Sequence, residues 1–440
     1  FVAESERPPY SLLYRVYDSI RMNPVIDTVY DRIRDPFGDH SEEAPHWDRD
    51  TTVFRGQWSE ARDRMHIINE TEEERKARED FGALAYLRSY ELAPPLSGVI
   101  LHDEERAAPG LNFYMTAGGP SAFLMDMDGE VLHTWTLPFE QAFPSFTGNV
   151  RIGAEYWRYA HLYEDGRVLA IFARHGIIMV DKDSQLIWAT EGDYHHVTDI
   201  DEDGTILVTG RRTTEKPEWD EVNKVWEEDI CYLDPETGEQ FRSYSLYDAI
   251  DNSPYEALRD HRREDDGDHL HANTVEILDG RFANRHPAFR KGNHLVSLRH
   301  LDTIGIVDPE TETLVWALTG LFSMQHRPTF LDDGSIMVFS NNNPRRNSQV
   351  IQIDPLTQQV LWLYDDDVFY TGCCGVAWPL ANGNVLITES QAGRVFEVTR
   401  DHEIVWDFYN PERRGENDVA IASVYEMCRF PLDYASAWLD

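Results

Sequence analysis

Three histidines recur at one register along the last two thirds of the 440-residue chain, each separated by seven or eight intervening residues from a turn glycine. The clearest copy is FSMQHRPTFLDDGSIMVFS, Phe322 to Ser340, in which His326 leads into an Asp-Asp-Gly turn and an alternating strand. His196 stands in the same relation to Gly204, and His271 to Gly280; Arg158 and Gly375 fill the place ahead of Gly166 and Gly383. Imidazole can attack, donate or accept a proton near neutral pH, so histidines gathered at one structural position form a candidate reaction centre. His326 is its candidate nucleophile. A histidine in such a place can also merely cap a loop or pack in a core, but three at one register favour a shared role. Asn273 shares a strand face with His271, because side chains alternate with period two, and the pair offers donors suited to an oxyanion. Arg299 stands in an otherwise apolar segment, KGNHLVSLRHLDTIGIVD. Burial there calls for a counter-anion: a bound sulfate, phosphate or carboxylate, or a neighbouring acid such as Asp302. Arg174 and His175 form a second, weaker pair.

These residues need elements to bring them together. A second phrase follows the first along the chain: apolar strand, acidic turn, and a strand carrying an aromatic residue. It ends at Trp135, Trp188, Phe241, Trp316, Trp362 and Trp406, six copies spaced by roughly 45 to 75 residues. Repeated four-stranded units with almost no helix signal predict an all-β, six-bladed β-propeller. Its innermost strands line a central channel, so residues that open those strands converge from different blades. Arg158, His196, His271 and His326 then share one pocket, with Tyr194 beside them. The first copy lacks an inner strand of its own, and Val424 to Leu432 is available to complete it.

Residues 1–97 read differently, as a mainly helical and irregular N-terminal extension to a propeller over 98–440. Apolar residues at helical spacing over Tyr10 to Arg34, interrupted at Pro24, predict two short helices; a capping box at Thr71 and Glu74 opens a third that runs to Tyr90. Net charge is −39, with only five lysines. Such a surface repels nucleic acid and anionic membrane, fits a saline environment, and obliges an anionic ligand to find a local cationic cluster. Four cysteines are too few for a disulfide scaffold; Cys373-Cys374 reads as two thiols rather than a strained vicinal disulfide. Asp199, Asp201 and Asp203 resemble the start of a calcium loop, but Gly210 replaces the acid required at its twelfth position, and a hairpin turn explains them better. Phosphate-binding glycine loops, HExxH and GxSxG are missing from the sequence. The expectation is a site built from His, Arg and Asn, with no cofactor and no metal.

In its phrases the chain resembles the arylsulfate sulfotransferase family over roughly residues 110–430. The residues that carry the likeness are His196 before its strand, the His-x-Asn of His271 and Asn273, the Ser-Leu-Arg-His ending at His300, and Gln325-His326 before a turn and strand. The resemblance implies a six-bladed propeller enzyme that uses no nucleotide sulfate donor. His326 would take the sulfuryl group from an aryl sulfate and pass it, through a sulfohistidine, to a phenol. Arg299 and Asn273 would hold sulfuryl oxygens, while His271 and His196 stabilise charge or move protons. Val197 and Arg327 stand where the family tends to place an Asp after its histidine, so an orienting carboxylate for the nucleophile is not evident. Two other readings stay open. One is a lyase or hydrolase on acidic polysaccharide using Tyr159 and Tyr194; the other is a non-catalytic propeller docking onto a protein partner, or onto itself, through its N-terminal helices. A periplasmic or extracellular location is expected, with a signal peptide or anchor ahead of Phe1.

Overall fold

Alternating apolar strands separated by acidic, glycine-bearing turns leave each sheet with two faces to bury, and stacking sheets around an axis buries both. The computed structural model describes residues 90–439 apart from 93, 151, 221–223, 262–266, 342–346, 367–368, 415–417 and 419. It shows six antiparallel blades. Their innermost strands are Val424–Phe430 in blade 1, Tyr159–Leu162 in blade 2, Tyr194–Ile200 in blade 3, Ala272–Ile277 in blade 4, His326–Phe330 in blade 5 and Val376–Pro379 in blade 6. Blade 1 takes that strand from the chain's far end, against Leu111–Thr116, so the ring is closed by pairing within a single sheet. Gly98–His102 adds a fifth, outermost strand to blade 6. Short helices at Phe139–Ala142 and Leu246–Asp251 decorate the loops.

The recurring aromatic has a structural reason. Each lies in the fourth strand of its blade, and four of the indoles reach across to a turn of the next. Trp135 donates to Gly166 O at 2.9 Å, Trp188 to Pro235 O at 3.0 Å, Trp362 to Arg400 O at 3.0 Å and Trp406 to Met127 O at 2.8 Å. One side chain thereby buries a large apolar area between blades and satisfies its polar atom. In blade 3 the residue is Phe241, which cannot donate, and it is 61% exposed.

Several expectations are corrected or lie elsewhere. Arg299 is not within a strand: it opens a tight turn, Arg299–Leu301, immediately after His294–Leu298. Tyr90 belongs to a short strand, Tyr90–Leu92, paired with Ala420–Ala422, rather than to a helix. The predicted helices over 10–34 and 71–89 fall outside the described residues. The acidic run after His196 is a turn: Asp203 accepts from Thr205 N, and Asp199 accepts from Ile277 N at 2.6 Å, tying blade 3 to blade 4. All four cysteines are free thiols.

A buried ion pair secures the closing strand. Arg429 and Glu397 are 2% and 0% exposed and hydrogen-bond directly. Arg429 also donates to Asn112 Oδ1 at 2.8 Å, and Glu397 accepts from Ala108 N at 2.8 Å. Removing one member of such a pair strands a buried charge. Glu397→Ala is expected to lower the unfolding free energy by about 3–5 kcal/mol in denaturant titration. A loss below about 1 kcal/mol, the range of an exposed pair, would contradict this role for the pair.

Candidate functional site

The inner strands that carry the histidines all break register where they enter the channel. Pairing is interrupted between His195 and Thr198, between Ala272 and Thr274, and between His326 and Thr329. His196 (φ 63°), His271 (φ 46°), Arg327 (φ 50°) and Cys374 (φ 63°) adopt left-handed backbone there. Bulges and positive φ in non-glycine residues re-aim side chains away from strand alternation, and both concentrate at functional sites.

His326 is 5% exposed. Its Nδ1 lies 2.6 Å from Asn341 Oδ1. The Asn341 amide is oriented by its own nitrogen, which donates to Thr371 O at 2.8 Å and Cys374 O at 2.7 Å. Its oxygen must therefore face the ring, so Nδ1 of His326 donates and the lone pair sits on Nε2. Burial lowers the pKa of His326 well below the usual value, the nearby Arg299 and Arg158 charges lower it further, and the Asn341 bond only partly opposes them. At neutral pH the ring is oriented and uncharged, with a lone pair free on Nε2.

Nε2 faces the backbone N–H of Cys374 at 3.3 Å, a long and weak contact. Two guanidinium groups flank this point. Arg158 donates to Cys374 Sγ at 3.1 Å and lies over the Tyr425 ring. Arg299, 2% exposed, donates to His300 Nε2 at 2.8 Å and approaches Gly372 O at 3.5 Å. A hydrogen bond from Cys373, with Arg158 and Arg299 nearby, pulls the Cys374 thiol down to about 6 while Cys373 is pushed up. Within a strongly acidic protein, this corner is a cationic anion trap.

His271 Nδ1 bonds Asp268 Oδ2 at 2.7 Å, and its ring packs against those of His196 and His300. Burial works against ionisation of Asp268, but the charge of His271, its hydrogen bond and His300 hold the carboxyl below its usual range. Asp268, His271 and His300 bring ligand atoms within 4.8 Å of one another. However, His300 accepts from Arg299 and contacts Asp268 O at 2.5 Å, so both of its nitrogens are engaged and a cation sits beside it. That arrangement disfavours a metal ion.

Asn273 departs from its expected use. Its Nδ2 donates to Gln325 O at 2.8 Å, so its amide braces the backbone entering His326 instead of facing a ligand. The Tyr194 hydroxyl donates to Gln240 Oε1 at 2.9 Å within the interblade core, away from the other site residues. Tyr159 bonds Thr198 O at 3.3 Å in that same core. Burial pushes Tyr194 up to about 12 and raises Tyr159 as well, so both phenols stay protonated and neither is suited to abstract a proton. Arg174 lies over Trp226, and His175 packs on Phe139 and Phe146. Arg327 turns down the channel to Glu426 of blade 1 at 3.2 Å.

The arylsulfotransferase (ASST) family profile matches residues 160–411, more than half of the chain and five of the six blades. The chain belongs to the arylsulfotransferase family. No curated protein matches it. Among solved structures it is similar to a protein of unknown function from Bacteroides caccae, with 14% identity and a TM-score of 0.48 over 73% of this chain and 98% of that one. It is also similar to the propeller domain of Cps50 (Swd1) from Myceliophteria thermophila, with 10% identity and a TM-score of 0.43 over 75% and 100%. Likenesses this distant carry no inference about chemistry.

Around the family's histidines the structure adds residues that spacing did not single out: Asn341, Cys374, Asp268, His195 and Glu228. Two had a sequence signal. Asn341 lies two residues past Phe339, the hairpin partner of His326, and Cys374 directly precedes Gly375 in the histidine register. For the arylsulfotransferase site, the acid limb of any histidine-dependent kcat/KM is expected below pH 6.5, because protonation of His326 is disfavoured. Asn341→Asp places a carboxylate on Nδ1, stabilises the imidazolium, and is expected to move that limb upward by about 1–3 units. An unmoved limb would contradict the pairing of His326 with Asn341.

Proposed function

We propose that this arylsulfotransferase carries the sulfuryl group on Nε2 of His326, taking it from an aryl sulfate and giving it to a small phenolic acceptor. The observation that supports this most directly is the tautomer lock by Asn341, which leaves an uncharged Nε2 lone pair near the buried Arg299 and the half-buried Arg158. An anionic sulfate ester is drawn to Arg158 and Arg299, and an aromatic pair, Tyr156 and Tyr425, lies against Arg158. Attack by Nε2 on sulfur forms the N–S bond as the S–O bond to the phenol breaks. Charge spreads over the sulfuryl oxygens, as in phosphoryl transfer, where positioned donors and cations do most of the catalytic work. The Cys374 N–H, 3.3 Å from the attacking nitrogen, is placed to leave that nitrogen and meet a sulfuryl oxygen. A bound sulfate must displace or share Arg158 with the Cys374 thiol.

His271, oriented by Asp268, stands on the far side of Arg299 and His300 and stabilises negative charge in the pocket. No cofactor enters this scheme. We place the protein in the periplasm or outside the cell, the usual setting of the family. Among the described residues no helix is long and apolar enough to cross a membrane.

Incubation with p-nitrophenyl sulfate and a phenol acceptor, in high salt to screen the acidic surface, is expected to release nitrophenol in an acceptor-dependent manner. His326→Ala is expected to abolish release, and Arg299→Lys to reduce it, since an ammonium cannot reproduce the planar fork. Full activity in His326→Ala would contradict the proposal.

A further inference from the structure

Blade 3 holds a buried acid that the transfer scheme leaves unused. Glu228, on the third strand Val225–Leu233, is 2% exposed, and its Oε2 lies 2.9 Å from Nε2 of His195 on the innermost strand. Both atoms are fully buried, and neither makes an aligned hydrogen bond among the described residues, so this close contact is the one polar approach available to each. On its other side His195 Nδ1 is 2.6 Å from Nδ1 of His196, whose ring packs edge-on against His271. Neighbouring residues on a regular strand point to opposite faces. Here the bulge between His195 and Thr198 and the left-handed His196 bring the two imidazoles together. A continuous file of nitrogen and oxygen atoms thus runs from an interior carboxyl to the histidine pocket.

We infer that Glu228, His195 and His196 form a proton relay that supplies a proton to the departing phenolate and recovers one from the acceptor phenol. The inference rests on the sulfuryl-transfer reading of the site. Burial pushes Glu228 up to about 8 and His195 down to about 3 against surroundings of Asp193, Arg211, Arg174, Asp268 and His271. His196 is likewise held neutral by burial and by the histidines and Arg158 around it. At neutral pH the proton therefore rests on Glu228, His195 accepts at Nε2 and donates from Nδ1, and His196 accepts at Nδ1 and carries its proton on Nε2. As the S–O bond breaks, His196 Nε2–H protonates the phenolate oxygen. His196 takes the His195 Nδ1 proton, and His195 takes the Glu228 proton. One proton has moved from Glu228 to the phenol, and the negative charge has moved from the phenolate to Glu228. Attack by the acceptor phenol runs the sequence backwards: its proton returns to Glu228, and the N–S electron pair returns to His326. In this scheme Glu228 and His195 are positioning residues that never touch the substrate.

The test is single-turnover phenol release by wild type, Glu228→Gln and His195→Gln, each checked for unchanged thermal melting. Two donors are compared: p-nitrophenyl sulfate, whose phenolate leaves unaided, and phenyl sulfate, whose phenolate needs a proton. The relay predicts release from phenyl sulfate slowed by about 10²-fold or more in both variants, the scale of a lost general acid. Release from p-nitrophenyl sulfate is predicted to stay close to wild type. Equal losses with both donors, or none with phenyl sulfate, would overturn the relay while leaving sulfuryl transfer standing. A wild type that releases nothing from either donor would overturn both.

Discussion

Ring closure is the constraint on which the rest of the molecule depends. A propeller blade has no core of its own, so each sheet is stable only while both of its faces are covered, and a ring that fails to close exposes two of them. Here the closing strand, Val424–Phe430, comes from the end of the chain, and its Arg429 is fastened to Glu397 of blade 6. Indoles from blades 1, 2, 5 and 6 bind the turns of their neighbours. Closure also reaches the site: Arg327, next to His326, is held by Glu426 of that strand, and Tyr425 of the same strand lies under Arg158.

Within the closed ring the site solves an electrostatic problem. The chain as a whole carries a charge of −39, yet the substrate proposed for it is an anion. Setting the buried Arg299 and the half-buried Arg158 beside His326, where low dielectric strengthens their field, creates a local exception to the acidic surface. Burial and these same two charges disfavour protonation of His326, so in the proposed reaction the groups that attract a sulfate also help keep the Nε2 lone pair available. An amide suffices to orient it. Asn341 lacks the negative charge that would raise the basicity of His326 and compete with a sulfate for the arginines.

Much of this was legible in the sequence, because repetition is a long-range signal written in local form. The six aromatic-ended phrases mark the fourth strands of the six blades, and the His-to-Gly spacing marks where inner strands begin. What alternation could not show is where the chain breaks its own period. Asn273 was expected to share a face with His271, but the bulge at that residue turns its amide to Gln325 O. Tyr194 was expected in the pocket and instead fills the interblade core, because it belongs to the regular part of a strand whose irregularity begins after His195. Asp268, Cys374 and Glu228 meet the histidines from a loop, a neighbouring blade and another strand of the same blade, contacts for which spacing along one strand holds no information. The missing carboxylate after His326 is explained by geometry as well. Arg327 points down the channel, and the orienting group comes from the neighbouring strand's end.

The central claim is that His326 itself bears the sulfuryl group. The most direct measurement is rapid quenching of the protein with aryl sulfate in the absence of acceptor, at mildly alkaline pH, followed by peptide mass mapping. The prediction is one added SO3 on the peptide containing His326, lost when a phenol is supplied and missing in His326→Ala. Acceptor-dependent transfer with no such adduct, or an adduct on Cys374 in its place, would contradict it.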